Sequence, residues 1–266
     1  MPELDALLRI AREAGELILR VYRQDFQVNQ KNDQSPVTEA DMAAHHHILA
    51  ELTRLTPQIP VLSEESAEQV GPERMDWQRY WLVDPLDGTR EFIKRNDEFT
   101  VNIALIDNGI PVLGVVHAPA LDTSWFGARD LGAWRLDGEG RRTRLQVEAP
   151  PTDRAWRVVG SRSHATPALQ GFVDQLGNAQ LLSIGSSLKL CMVAEGKADL
   201  YPRLGPTSEW DTAAAQAVVE AAGGLVLSWP DLQPLRCNRN PDSLLNPDFI
   251  VCSQIRPDWA RLATGT

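Results

Sequence analysis

The sequence predicts an α/β protein that combines an α+β first half with an α/β second half. Alternating apolar residues between residues 100 and 147, interrupted by turn signals, favour an antiparallel sheet over a doubly wound one. After Pro150 and Pro151, strand-like and helix-like segments alternate, which is typical of α/β structure. With 266 residues, the chain is near the size at which one hydrophobic core divides into two. We therefore expect a domain of helices and antiparallel sheet at residues 1–150 and an α/β domain at residues 151–266.

Two helices begin the first half. Apolar residues recur at helical spacing over residues 4–21, which predicts an amphipathic helix packed on the rest of the protein. Residues 31–36 look like a loop, and residues 38–55 are predicted to form a second helix with Asp41 near its start. The three histidines at residues 45–47 would lie about 100° apart around that helix. We expect them to be solvated and not to share an ion.

Strands follow these helices. A short apolar run at residues 61–63 predicts a buried strand that ends in two glutamates. Asn-Gly at residues 108–109, between two alternating runs, is a hairpin signal. The other strands of this half are expected at residues 81–83, 101–105, 112–116, 124–127, 133–136 and 141–147.

The second half alternates shorter segments and ends in an alanine-rich helix. That helix should begin after Asp211 and stop at Gly223 and Gly224, because glycine commonly terminates helices. The segments before it are predicted as a strand at 156–160, a helix at 167–176, a strand at 181–184 and a helix at 188–195.

The most informative motif is Asp-Pro-Leu-Asp-Gly-Thr at residues 84–89, directly after an apolar strand. Hard divalent cations bind carboxylates together with the phosphates of a substrate, and Asp84 and Asp87 supply such carboxylates. The carbonyl of Leu86 is free to face the ion, and Gly88 lets the backbone approach a ligand closely. The competing interpretation is an Asp-rich turn that only caps a helix.

Further acidic residues stand at the ends of predicted elements. Glu64 and Glu65 follow a strand, and neighbouring strand residues face opposite ways, so we choose Glu64 as the single ligand. A solvated pair of glutamates is the alternative. Asp211 precedes the alanine-rich helix, where it is either a ligand or only the N-cap.

Candidate phosphate contacts lie in the second half. Gly-Ser-Ser at residues 185–187 precedes a helix and would present free amides and hydroxyls to an anion, although it is equally a plain helix start. Lys189 adds a positive charge to that segment. Arg203 and His164 are further candidates, and such residues are also commonly structural or solvated.

These motifs resemble those of the inositol monophosphatase-like, lithium-sensitive, Mg²⁺-dependent phosphatases. The resemblance rests on Glu64 within Ser-Glu-Glu-Ser, on residues 84–89, and on Trp210-Asp211 with its alanine-rich helix, in the same order and at similar spacing. It covers nearly the whole chain and implies a layered αβαβα sandwich.

Four further segments most resemble the CysQ-type 3′(2′),5′-bisphosphate nucleotidases. They lie at residues 91–95, 161–164, 185–189 and 201–207. This resemblance implies hydrolysis of adenosine 3′,5′-bisphosphate to AMP and phosphate, with the 5′-phosphosulfate analogue as another candidate substrate, in the nucleotide recycling of sulfur assimilation.

The resemblance also implies the residues of the site. Thr89, oriented by Asp41 and assisted by Glu64, would accept or relay a proton from the attacking water. Two or more Mg²⁺ ions would be held by Glu64, Asp84, Leu86, Asp87 and Asp211. The substrate would contact Glu64, Leu86, Asp87, Gly88, Thr89, His164, Gly185, Ser186, Lys189, Arg203 and Asp211. Among them, Arg203 would meet the remaining phosphate of the nucleotide, and His164 would stack or hydrogen-bond near the base or the ribose.

Composition restricts the partners. A net charge of −10 argues against nonspecific binding of nucleic acid. The partner that the resemblance implies is a small nucleotide bisphosphate. Three cysteines without metal-ligand spacing indicate a reducing, cytoplasmic setting. No apolar run approaches the length of a membrane span. Peripheral association with the inner face of the cytoplasmic membrane, and the choice between monomer and homodimer, are left open.

Three other functions remain after this reasoning: an inositol monophosphatase, a sugar bisphosphatase, and a catalytically silent nucleotide sensor. The presence of four carboxylates together with Thr89 argues against the sensor. The pair Lys189 and Arg203 argues for a substrate with two phosphates.

Overall fold

The computed structural model describes residues 2–24, 28–30, 36–161, 167–256 and 259. Within them the helices are α1 (Pro2–Tyr22), α2 (Glu39–Leu55), α3 (Thr89–Lys94), α4 (Pro167–Leu176), α5 (Leu188–Ala194) and α6 (Ala213–Ala221). The strands are β1 (Val28–Gln30), β2 (Pro36–Thr38), β3 (Val61–Ser63), β4 (Arg79–Asp87), β5 (Thr100–Asp107), β6 (Ile110–Ala118), β7 (Thr123–Ala128), β8 (Gly132–Leu136), β9 (Arg142–Arg144), β10 (Trp156–Ser161), β11 (Ala179–Ile184), β12 (Leu200–Arg203), β13 (Leu225–Ser228) and β14 (Phe249–Cys252).

The first half of the chain forms a seven-stranded sheet in the order β3-β4-β5-β6-β7-β8-β9. Its pairs are antiparallel except for β3 with β4, which confirms the predicted sheet type. Asn108 and Gly109, with φ angles of 50° and 75°, make the tight turn between β5 and β6. The predicted strand at 141–147 is shorter than expected, because β9 covers only Arg142–Arg144.

The second half forms a five-stranded mixed sheet in the order β11-β10-β12-β14-β13. Strand β10 runs parallel to both β11 and β12, and β14 runs antiparallel to both of its neighbours. Helices α1 and α2 cover one face of the first sheet, α5 and α6 lie between the two sheets, and α4 covers the outer face of the second sheet. This order confirms the predicted αβαβα sandwich. The domain boundary near residue 150 stays a prediction.

Helix α6 packs directly on the first sheet, although it follows residue 151 in the chain. A Cβ added at Gly114 of β6 would lie 2.1 Å from the carbonyl oxygen of Ala214, so helix and strand meet backbone to backbone. On β7, a Cβ at Gly127 would lie 3.0 Å from Ala221 Cβ. Small residues on both elements therefore bring α6 close to the sheet that carries the 84–89 motif.

Two predictions for the N-terminal region need correction. The loop predicted at 31–36 falls on residues 31–35, which lie outside the described part, and on Pro36, which begins β2. The histidines of α2 were expected to be solvated, yet His45 is buried and its Nδ1 lies 2.8 Å from Ser63 Oγ. That face of α2 packs on the sheet, a placement that helical spacing around one helix does not reveal. Only His46 is fully exposed among the three.

His117 on β6 is a second buried histidine, covered by α1. A Cβ at Gly15 of α1 would lie 2.7 Å from His117 Cδ2, and His117 Nδ1 lies 2.9 Å from Ser124 Oγ. The pKa of His117 is lowered to about 4, mainly by burial and secondarily by the charge of Arg12, while the charge of Asp122 acts in the opposite direction. The imidazole is therefore neutral in the folded protein at neutral pH.

This burial predicts a loss of stability in mild acid. Between pH 6.5 and 4 the unfolded chain binds a proton at His117 that the folded chain does not, so stability falls as the pH falls through that window. The contribution of His117 should lower the free energy of unfolding by about 2 kcal/mol when the pH falls from 7 to 5. Urea denaturation of wild type and His117→Gln at both pH values measures it. The decrease in unfolding free energy from pH 7 to pH 5 should be smaller in His117→Gln and unchanged in the exposed control His46→Gln. An equal decrease in all three proteins would contradict the burial of His117 as a neutral imidazole.

Candidate active site

The two aspartates of the 84–89 motif face the same side of β4 because of a β-bulge. In a regular strand, residues three apart face opposite sides. Here Asp84 pairs with Asn102 and Asp87 with Thr100, so β4 has one residue more than β5 between these pairs. The extra residue turns the Asp87 side chain toward that of Asp84. Pro85, which has no N–H for the ladder, lies inside the bulge.

The third carboxylate comes from the second half of the chain. Asp211 ends a 3₁₀ turn (Glu209–Asp211), and its Oδ2 accepts a hydrogen bond from the Ser208 backbone N–H at 2.9 Å. Thr212, not Asp211, occupies the N-cap position of α6, so the interpretation of Asp211 as a mere N-cap is wrong. One carboxylate oxygen each of Asp84, Asp87 and Asp211 lies within 4.8 Å of the others.

This cluster fits a hard divalent cation. Burial, together with the negative charges of Asp87 and Glu64, raises the pKa of Asp211 to about 8. Burial likewise raises the pKa of Asp87. Gathered carboxylates disfavour one another's charged forms unless a cation neutralises them. Convergent carboxylate oxygens are the donors that Mg²⁺ prefers.

Thr89 lies beside the cluster at the start of α3. Its hydroxyl oxygen is 3.4 Å from Asp41 Oδ1 and 3.4 Å from the Leu86 carbonyl oxygen. Asp41 is fixed in turn by Thr38, whose backbone N–H and hydroxyl both donate to Asp41 Oδ2 at 2.7 Å. The structure therefore brings Thr89, Asp41 and the Leu86 carbonyl together next to the three aspartates.

Glu64 lies at the rim of this arrangement. It follows β3 at the start of a 3₁₀ turn (Glu64–Gln69) and lines the same cleft as Asp87 and Asp211. It is not one of the three carboxylates within 4.8 Å of one another. Its role as a ligand or as an assistant to Thr89 stays a prediction.

A cleft of about 210 Å³ opens on the aspartate cluster. Residues 64 and 87–91 line it from the first half of the chain, and residues between 161 and 212 line it from the second half. At its floor Gly88 has a φ of 90°, and a Cβ there would lie 3.0 Å from the Glu98 carbonyl oxygen. The cleft therefore lies where the two halves of the chain meet.

Two of the cations that line this cleft, Lys189 and Arg203, come from the second half of the chain. Lys189 is buried, its ammonium donates to the Ser186 carbonyl, and it lies 5.7 Å from the centre of the Tyr201 ring. Burial lowers the pKa of Lys189. Arg203 donates through Nη2 to the Pro206 carbonyl, whereas its buried Nε has no hydrogen-bond partner among the described residues. A buried donor without a partner is costly, and an anionic oxygen in the cleft would satisfy it.

The Gly-Ser-Ser segment is bonded differently from the prediction. The Gly185 N–H donates to Glu98 Oε2 at 2.7 Å, and the Ser186 hydroxyl and the Ser187 N–H donate to Asp87 Oδ2 at 2.6 and 2.5 Å. The prediction that these amides and this hydroxyl are free for an anion is therefore wrong. Contact of Gly185 and Ser186 with the substrate stays a prediction, since both line the cleft. His164, the predicted base or ribose contact, lies outside the described residues.

Sequence reasoning overlooked the groups behind Asp87. Thr100 and Asn102 are buried on β5, opposite Asp87 and Asp84, and both join the hydrogen bonds of Ser186 and Ser187. The sequence does indicate a polar patch here, because two polar residues two positions apart on a buried strand lie on the same face. Only the register with β4 shows that this is the face of the carboxylates.

Comparison with known proteins decides the family. A model of the inositol monophosphatase family matches residues 2–261. The chain belongs to the inositol monophosphatase family.

Members of the inositol monophosphatase family that resemble this chain include nucleotidases. The 3′(2′),5′-bisphosphate nucleotidase CysQ of Escherichia coli is 53% identical over 253 residues, which cover 93% of this chain and 98% of that protein. The crystal structure of CysQ from Bacteroides thetaiotaomicron has a TM-score of 0.83 at 41% identity, covering 96% of this chain and 98% of that chain. An IMPase of Thermotoga maritima has a TM-score of 0.79 at 25% identity, covering 100% and 98%.

Within the described residues, no helix is long and apolar enough to cross a membrane.

Proposed function

We propose that this member of the inositol monophosphatase family is a 3′(2′),5′-bisphosphate nucleotidase, which hydrolyses adenosine 3′,5′-bisphosphate to AMP and phosphate. The observation that carries the proposal is the pairing, in one cleft, of the aspartate cluster with the cations Lys189 and Arg203. Such a cleft suits a molecule with one phosphate to cleave and another to hold. The relationship to nucleotidases at 53% identity supports the same substrate class. The 5′-phosphosulfate analogue carries a similar charge and is a second candidate substrate.

Asp84, Asp87 and Asp211 would hold the metal, with the Leu86 carbonyl and Glu64 as further ligands of two or more Mg²⁺ ions. Mg²⁺ held there would supply Lewis-acid chemistry, in which it would make a water more acidic and offset negative charge on the phosphate and the departing oxygen. The positions of the three aspartates would determine where that charge is neutralised, because their carboxylates converge from β4 and from the turn before α6.

Thr89 and Asp41 would handle the proton of the attacking water. The water oxygen forms a bond to phosphorus while the bond from phosphorus to the ribose 3′-oxygen breaks, and the released 3′-oxygen takes a proton from solvent to become the 3′-hydroxyl of AMP. The hydroxyl of Thr89 accepts the water's proton as it passes its own to Asp41, which lies 3.4 Å away, and Glu64 assists from the rim. The hydroxyls of Ser186 and Ser187 donate to Asp87 and Asn102, so neither is held as a nucleophile, and we propose direct hydrolysis without a phosphoenzyme.

Lys189 and Arg203 would hold the 5′-phosphate, and a neighbouring cavity would hold the base. That cavity, of about 260 Å³, shares Tyr201 and Arg203 with the cleft, and Leu169 and Leu204 give it apolar walls. Pockets for the flat, largely apolar face of a base have this mixture of apolar walls and a few polar groups.

A panel of substrates tests the proposal against its rivals. Phosphate release should be fastest from adenosine 3′,5′-bisphosphate, slower from adenosine 3′-phosphate, and much slower from inositol 1-phosphate and fructose 1,6-bisphosphate. Preference for inositol 1-phosphate or fructose 1,6-bisphosphate would make the chain an inositol or sugar phosphatase. Tight nucleotide binding without phosphate release would make it a sensor.

Replacing Arg203 by Ala should weaken selection of the second phosphate. One charge-assisted contact is worth about 1.5 to 3 kcal/mol, so kcat/KM for adenosine 3′,5′-bisphosphate should fall roughly ten- to a hundredfold. Adenosine 3′-phosphate lacks the group that Arg203 would contact and should lose much less. Steady-state kinetics on both substrates, with the exposed Arg239→Ala as a control, measure the effect. Equal losses on the two substrates would show that Arg203 does not contact the 5′-phosphate.

The proposal includes a cytoplasmic setting and a monomer or homodimer as the working form. The described structure leaves Cys191, Cys237 and Cys252 buried and unpaired, which suits a reducing compartment.

A further inference from the structure

The carboxylate of Asp87 is held from behind by a buried cluster of hydroxyl groups that no part of the proposed mechanism uses. Asp87 Oδ2 accepts from the Ser186 hydroxyl at 2.6 Å and from the Ser187 N–H at 2.5 Å. The Ser187 hydroxyl donates to Asn102 Oδ1 at 2.9 Å. Thr100 lies in the middle, with its oxygen 2.6 Å from Ser186 Oγ and 2.8 Å from Ser187 Oγ.

Every member of this cluster is buried, and Thr100 is completely so at 0% exposure. Thr100 does not line the cleft, so water from the cleft does not replace its hydroxyl when that is lost. A carboxylate only accepts hydrogen bonds, so the single proton of Ser186 goes to Asp87, while that of Ser187 goes to Asn102. The single proton of Thr100 is then available to one of the two serine oxygens at a time, and Asn102 Oδ1 is a more distant acceptor at 3.4 Å. Removing this hydroxyl deprives the serine oxygens of that donor and takes away the oxygen that lies between them.

The cluster joins two parts of the fold that come from different halves of the chain. Thr100 lies on β5 and pairs with Asp87 across the sheet, whereas Ser186 and Ser187 form the approach to α5. Ser186 has a φ of 55°, a left-handed conformation uncommon for residues other than glycine. Such a conformation persists only where surrounding contacts hold it, and its hydroxyl contacts here are Thr100 and Asp87.

We propose that Thr100 is a positioning residue for Asp87, which sets the affinity of the aspartate cluster for its divalent cation by fixing Ser186 and Ser187 against that carboxylate. The inference rests on the proposed function and extends it to a residue that touches neither substrate nor ion. Groups that orient a metal ligand through hydrogen bonds typically change metal affinity or activity about ten- to a hundredfold when they are removed.

The test replaces Thr100 by Val, which keeps the branched shape on the strand and removes only the hydroxyl. The Mg²⁺ concentration for half-maximal phosphate release should rise about tenfold, and the Mg²⁺ concentration that raises the melting temperature should rise in parallel. KM for adenosine 3′,5′-bisphosphate at saturating Mg²⁺ should change less than about twofold, because Thr100 does not contact the nucleotide. Thr100→Ser restores the hydroxyl and should return both Mg²⁺ requirements to near the wild-type values.

Thr123→Val is the matched control. Thr123 is also a buried strand threonine, and its hydroxyl donates to the Leu121 carbonyl at 2.9 Å, away from the cleft. It should lower the melting temperature without changing the Mg²⁺ requirement. A wild-type Mg²⁺ requirement in Thr100→Val, or the same increase in Thr123→Val, would overturn the proposal.

If Thr100→Val does not fold, Ser187→Ala replaces it in the test. This variant keeps the N–H that Asp87 accepts and removes the hydroxyl that Thr100 and Asn102 contact. A raised Mg²⁺ requirement in the melting experiment supports the proposal, and an unchanged one overturns it. The melting experiment needs no substrate, so its result is separate from failure of the nucleotidase assignment, which would appear as absence of phosphate release from wild type.

Discussion

Replacing Asp84 or Asp87 by Asn should remove almost all phosphate release. Each change keeps the shape of the side chain and deletes one negative charge from a cluster whose oxygens lie within 4.8 Å of one another. A metal ion supplies several kcal/mol of charge stabilisation in phosphate transfer, and about 1.4 kcal/mol corresponds to a tenfold rate, so we expect a loss of at least about 10³-fold in kcat. Phosphate release over a range of Mg²⁺ concentrations measures it.

The same variants should lose the stabilisation that Mg²⁺ gives the folded protein. A ligand that binds only the native state contributes about 2.7 kcal/mol at a hundred times its dissociation constant, so the wild-type melting temperature should rise with Mg²⁺ and fall back with EDTA. The exposed Asp130→Asn should behave as wild type in both assays. Turnover by wild type after exhaustive EDTA treatment, or identical melts with Mg²⁺ and with EDTA, would contradict the assigned metal site.

Replacing Thr89 by Ala should lower kcat by about 10²- to 10⁴-fold, the usual range for a group that moves a proton in the transition state. The hydroxyl of Thr89 lies between Asp41 and the Leu86 carbonyl, and the methyl of Ala cannot take up a proton there. Nucleotide affinity should be largely kept, since Lys189 and Arg203 remain in place.

Thr89→Ser is the informative companion, because it keeps the hydroxyl facing Asp41. It should retain activity within about tenfold of wild type, whereas Asp41→Asn should resemble Thr89→Ala. Single-turnover measurements at saturating Mg²⁺ distinguish the chemical step from product release. A Thr89→Ala enzyme with a wild-type chemical step would remove Thr89 from the proton path.

Most of the metal-ligating residues could be predicted from the sequence, because they lie in one short motif. Asp84, Leu86, Asp87 and Thr89 occupy one strand end, and the hard-cation preference for carboxylates follows from their chemistry alone. Asp211 is also identifiable from its place before an alanine-rich helix. The layered fold could be predicted from the family resemblance together with strand and helix periodicity.

What the sequence did not provide depends on register and on packing between distant segments. The bulge that turns Asp87 toward Asp84 appears only when β4 is paired with β5. The amides of Gly185 and Ser187 looked free because their partners, Glu98 and Asp87, are about ninety residues or more away in the chain. Distance along the chain in the same way concealed the burial of His45 against Ser63.

The close backbone approach of Gly114 and Ala214 has different consequences for the ligands of the ion and for Arg203. Through α6 it fastens Asp211 to the sheet that bears Asp84 and Asp87, whereas Arg203 belongs to β12 of the other sheet. With Arg203 holding the second phosphate, as proposed, the thickness of the helical layer between the sheets would set the distance between the two phosphates that the cleft accepts. Substitutions in that layer that leave α6 in place would then lengthen or shorten this distance and shift selectivity among bisphosphates, while the three aspartates keep their positions.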